Sequence, residues 1–96
     1  MDKPQAINFE ISISGRDDGT IEAMYIQIFN GEVHHTKEIL EDTLLADYAD
    51  DGRIVGIEVL APVRISDIKA LVLDHELNER FAEFVERATP RDLVVA

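Results

Sequence analysis

The sequence predicts an α+β fold: an antiparallel β-meander of about four strands, with one sheet face covered by C-terminal helix segments. Two observations point there. Before Pro62 the apolar residues recur at every second position, and after it they recur at steps of three and four. Turn-forming clusters at Gly15–Gly19, Asn30-Gly31 and Asp50–Arg53 separate the alternating runs closely enough to demand antiparallel neighbours. The layout is a single domain over 1–96, with a sheet over 6–61, a helical cover over 66–89 and a tail over 90–96.

Residues 6–14 alternate, with Ile7, Phe9, Ile11 and Ile13 on one side and Asn8, Glu10 and Ser12 on the other. That pattern is a half-buried strand. Residues 21–29 form the next, with Met24, Ile26 and Ile28 opposed to Ala23, Tyr25, Gln27 and Phe29. Asn30-Gly31 reads as a hairpin turn because both residues accept positive φ. The run from Glu32 to Glu38 is polar and suits an edge, and Ile39 to Thr43 reads as a loop or a distorted strand. Leu44, Ala46 and Tyr48 alternate against Leu45 and Asp47. Asp50-Asp51-Gly52-Arg53 turns the chain into Ile54–Leu60, where Val55, Ile57 and Val59 should face the core. Gly56 within this strand suits a close approach by a neighbour.

Beyond Pro62, Ser66 or Asp67 is the expected cap of a helix carrying Ile68, Leu71 and Val72 on one stripe. Asp74 is the expected start of a second segment. Its apolar stripe is Leu77, Phe81, Phe84, Val85 and Ala88, and Pro90 stops it. Glu79, Arg80, Glu83, Glu86 and Arg87 mark the opposite, solvated face.

Composition bounds the chemistry. The chain has 96 residues, 20 acidic against 9 basic, a net charge of -11, 46% hydrophobic residues and no cysteine. A length of this order supports one core. The acidic field opposes direct binding to nucleic acid and to acidic membranes, while a basic protein partner is compatible with it. Without cysteine there is no thiolate nucleophile and no sulfur-held metal, which fits a cytoplasmic location. The first residues, Met1-Asp2-Lys3-Pro4-Gln5, lack the apolar core of a signal peptide, and the longest apolar runs are far below membrane-spanning length.

Ala23-Met24-Tyr25-Ile26-Gln27-Ile28, then Thr36, then the stretch from Asp47 through Asp50-Asp51-Gly52-Arg53 to Ile54-Val55-Gly56-Ile57-Glu58-Val59-Leu60, resembles an uncharacterised family catalogued as domain of unknown function 2283. The resemblance spans residues 7–62. It implies a compact antiparallel meander, often with a helix following, and carries over no catalytic residues. Some members sit beside small toxin-like genes, which implies an antitoxin or regulatory role. The segment Glu38 to Thr43 is less glycine-rich than the family pattern, and the region after Pro62 lies outside it.

Four sets of residues invite a chemical reading. Asp47, Asp51, Gly52 and Glu58 fall at EF-hand positions 1, 5, 6 and 12, but Ala49 at position 3 offers no oxygen and the flanks alternate as strands, so a hairpin turn is the preferred reading. His34 and His35, adjacent in a strand, should point to opposite faces, and His75 lies far along the chain. Surface histidines are therefore the reading, and no metal or other cofactor is assigned. Tyr25, Asp47 and Glu58 share the non-core parity, so their side chains should converge on the open sheet face. There they either stand as solvated residues or serve acid–base or ligand chemistry. Ala23, Phe29 and Leu45 share that parity, and Leu60 follows them, giving a candidate interface for a partner or a second copy. No residue is assigned as catalytic. The leading expectation is a non-enzymatic interaction or regulatory module, antitoxin-like or self-associating. The alternative is a small ligand-binding domain or enzyme using Tyr25, Asp47 and Glu58.

Overall fold

A computed structural model describes residues 9–75, 77 and 79–95. Five strands, β1 (Glu10–Gly15), β2 (Ile21–Gln27), β3 (His35–Leu40), β4 (Leu44–Tyr48) and β5 (Ile54–Leu60), are followed by helices α1 (Ile65–Asp74) and α2 (Glu79–Ala88). A short 3-10 turn over Arg91–Leu93 follows them. The α+β class and the antiparallel sheet hold. The strands number five rather than about four, and their order is β1-β2-β5-β4-β3, which is not a simple meander.

The order follows from the composition of β5. In Ile54-Val55-Gly56-Ile57-Glu58-Val59-Leu60 nearly every residue is apolar or glycine, so the strand gains most when neighbours flank it on both sides. It lies at the centre, pairing Met24 with Val59 and Ile26 with Ile57 on one side, and Leu44 with Val59 and Ala46 with Ile57 on the other. Polar β3 is left at the edge, as its composition suggested.

Asn30-Gly31 therefore closes no hairpin. Residues 28–34 carry the chain past the ends of β5 and β4 to the far edge, where the His34 amide donates to the Tyr48 carbonyl at 2.7 Å. The two positive-φ glycines are Gly19, between β1 and β2, and Gly52, between β4 and β5. The ambiguous stretch 39–43 resolves into the end of β3, with a register shift between Glu38 and Leu40, and a tight turn in which Asp42 has φ 61°. The first strand begins at Glu10; the proposed residues 6–8 lie outside the described ones.

The core lies between the sheet and the helices. Met24, Ile26, Leu44, Ala46, Ile57 and Val59 from the sheet meet Ile68, Leu71 and Val72 of α1 and Ala82 and Val85 of α2. The α1 stripe is the one expected, but the helix starts earlier. Its N-cap is Arg64, without a side-chain hydrogen bond, and Ser66 and Asp67 lie in the first turn. Asp74 ends α1 instead of starting α2. In α2 the buried stripe rotates toward Ala82 and Val85, so Phe84 is left exposed and Phe81 half-buried. Both rings pack edge-on against Phe9, at 5.0 and 5.2 Å, and fill the corner next to β1.

The segment after Pro90 is not a loose tail. Leu93 is fully buried, Val63 and Val94 form a parallel bridge, and the Ile21 amide donates to Asp92 Oδ2 at 2.8 Å. Among the described residues no helix is long and apolar enough to cross a membrane.

Candidate functional site

The helix-free face of the sheet brings together the residues whose parity singled them out. Across it, Ser12, Tyr25, Glu58, Leu45 and Glu38 form one cross-strand row, and Glu10, Gln27, Gly56, Asp47 and Thr36 form the next. Tyr25 and Asp47 belong to adjacent rows two strands apart. The missing side chain of Gly56 lets them meet. A Cβ there would come within 2.2 Å of the Tyr25 hydroxyl oxygen, so the ring lies directly on the glycine. The Tyr25 hydroxyl donates to Asp47 Oδ2 at 2.8 Å, and the Thr36 hydroxyl donates to Asp47 Oδ1.

This linkage ties β2 to β4 and β3 across the top of β5. Burial pushes the Tyr25 phenol well above its ordinary range. The hydrogen bond to Asp47 and the charges of Asp47 and Glu58 act in the same direction. The phenol thus remains a proton donor at neutral pH, and both carboxylate oxygens of Asp47 already accept a hydrogen bond. A structural brace accounts for the arrangement. Glu58 joins it through its charge and its place opposite Tyr25 and Leu45.

Beside the brace the face carries Leu45, next to Glu58, and the Ala23–Leu60 pair at one end of the strands, all three apolar residues half-buried. Its charged strand residues are Glu10, Glu38, Asp47 and Glu58. The strands contain one basic residue of lysine or arginine type, Lys37, and its register partner Ala46 lies on the helix side.

Phe29 departs from this group. Strand β2 ends at Gln27, and the amides of Ile28 and Phe29 both donate to the Val55 carbonyl, at 2.8 and 3.1 Å, as the chain swings away. The Phe29 ring lies under the Arg53 guanidinium, 3.9 Å from its centroid, and Arg53 also bonds Asp51. Both line an open cleft of about 470 Å³, together with Val33 and His34.

The Asp-rich segment is a turn, as preferred: the Ala49 amide donates to the Arg53 carbonyl, and the Gly52 amide to the Ala49 carbonyl. The histidines differ from the expectation. His34 precedes β3 instead of alternating within it, and the two rings meet edge-on with their Nδ1 atoms 3.4 Å apart. His35 stacks on Tyr48. His75 Nδ1 donates to the Leu71 carbonyl, and Nε2 accepts from the Tyr48 hydroxyl, both at 2.8 Å, joining the end of α1 to β4. Among the described residues no group of three or more His, Asp or Glu side chains is arranged to hold a metal ion.

Sequence reasoning missed two features. Thr36 completes the brace only because β3 takes a specific register on β4, which no local pattern reveals. The Arg53–Phe29 contact needs β2 to end early, and nothing in the alternation of residues 21–29 announces that end.

Residues 18–61 match the model of a family described as Protein of unknown function (DUF2283). The matched interval runs from the turn before β2 to just past β5 and contains Tyr25, Thr36, Asp47, Gly56 and Glu58, while β1 and the helices lie outside it. No curated protein and no solved structure matches the chain.

Proposed function

For a chain whose residues 18–61 match the family of domain of unknown function 2283, we propose a non-enzymatic interaction module that holds a basic protein on the open face of its sheet. One observation carries the reading. The strand residues of that face supply Glu10, Glu38, Asp47 and Glu58 and neither lysine nor arginine, interleaved with Ala23, Tyr25, Leu45 and Leu60. Apolar residues interleaved with strand charges of one sign make a surface on which the apolar part supplies affinity and the charges supply steering and orientation. The Tyr25–Asp47–Thr36 brace ties side chains of β2, β3 and β4 together across the face before binding, which lowers the entropy lost on association. A regulatory role of the antitoxin kind is compatible with a basic partner, and the net charge of -11 favours fast encounter.

The test is affinity capture from the native cell with the tagged chain and with a Glu38→Lys/Glu58→Lys variant. The expected result is one stoichiometric basic protein, released as salt rises through physiological ionic strength and reduced about tenfold on the variant. Equal recovery of the same protein by both forms, or no stoichiometric protein with either, refutes the reading.

A further inference from the structure

The two edges of the sheet are built differently. Strand β3 carries exposed Lys37 and a register shift between Glu38 and Leu40, both features that discourage another strand from adding to an edge. Strand β1, Glu-Ile-Ser-Ile-Ser-Gly, has neither lysine nor proline, and among the described residues no strand pairs with its outer side. On the helix side of this edge Ile13 is 50% exposed and Phe84 40% exposed, next to the Phe9–Phe81 contact. An open backbone edge and an exposed apolar rim thus coincide.

The sequence of β1 is also complementary to itself. If two copies pair antiparallel with Ile13 opposite Ile13 of the second copy, Ser12 falls opposite Ser14, Ile11 opposite Gly15, and Glu10 opposite Arg16. Every pair keeps its parity, so the isoleucines meet on the helix side and the opposite charges meet twice on the open side. Arg16 is available for this exchange, since its present contacts, Glu22 at 3.6 Å and the Thr20 hydroxyl at 3.3 Å, are both exposed.

We propose that β1 docks onto β1 of a second copy in this register, making a two-fold dimer with one continuous ten-stranded sheet. The axis stands perpendicular to the sheet, so both helical layers lie on one side and both acidic faces join on the other. The occupant of the edge is another copy of this chain, because one seven-residue segment, 10–16, supplies both the apolar pair and the charge pairs. Such a short edge buries little area, so the dimer is expected to dissociate on dilution.

Sedimentation equilibrium of the whole chain, together with single-cysteine variants, tests this. The chain has no native cysteine, so an introduced one reports alone. The expected result is a mass rising from monomer to dimer with concentration. Ile13→Cys should oxidise to a covalent dimer and Ser12→Cys should not, because only the former lies on the axis. Glu10→Arg and Arg16→Glu should each weaken the dimer about tenfold, and the double exchange should restore it. A chain that remains monomeric at about millimolar concentration, a range where even weak specific contacts form, overturns the proposal. So does a dimer that links through Ser12→Cys instead, or one indifferent to both charge reversals.

Discussion

Gly56→Val should lower the stability of the chain by about 2–4 kcal/mol, read as a fall in the denaturation midpoint with an unchanged slope. A Cβ at this position meets the Tyr25 hydroxyl oxygen at 2.2 Å and its Cζ at 2.4 Å, so the ring must leave its seat. Leaving forfeits the bond to Asp47, a charge-assisted contact worth about 1.5–3 kcal/mol. It also pushes an extra side chain into the middle of the central strand, which costs a further ~1 kcal/mol or more. A double-mutant cycle isolates the cause. With Tyr25 already replaced by alanine, the same glycine substitution should cost no more than about half as much, because the collision is gone. Equal costs in both backgrounds would mean that Gly56 serves the backbone alone, and the brace would lose its explanation.

Leu93→Ala should cost about 2–5 kcal/mol, as large as any truncation inside the sheet. Leu93 is fully buried, and its carbonyl accepts from the Val63 amide at 2.8 Å, while the Val95 amide donates to the Val63 carbonyl at 2.9 Å. Asp92 at the same point holds the Ile21 amide, so the end of the chain binds the sheet and the start of the helical layer together. Domains of this size are stable by about 5–10 kcal/mol, so the variant should populate unfolded forms under mild denaturant. Thermal melting followed by circular dichroism checks it. A midpoint within about 2 °C of the parent, well below the 4–8 °C expected per kcal/mol for domains of this size, would return the segment to the status of a tail.

Much of this structure is legible from spacing alone. The alternation around Met24-Ile26, Leu44-Ala46 and Ile57-Val59 selects the buried face of each inner strand correctly, because parity depends only on the chain itself. The same parity places Tyr25, Asp47 and Glu58 on one face. Strand order is different. Asn30-Gly31 carries a genuine local preference for a tight turn, but β2 gains more by pairing with the apolar β5 than with polar β3, and this comparison is made over residues far apart in sequence. The rotation of α2 has a similar origin. Leu77, Phe81, Phe84 and Val85 form a plausible stripe, yet α2 packs against α1 and buries Ala82 and Val85, which leaves Phe84 outward. Thr36 and the clasp around Leu93 escaped for the same reason, since each depends on a partner in another element.

The central claim is that the open acidic face, rather than the helical side or the Phe29–Arg53 cleft, receives a basic protein. Photo-crosslinking in the native cell tests it most directly, with a photoreactive residue replacing Leu45 on that face and, in a second strain, replacing Glu83 on the outer side of α2. The account predicts a single discrete adduct with a basic protein from position 45 and none from position 83. An adduct from position 83 alone, or none from either, would contradict it.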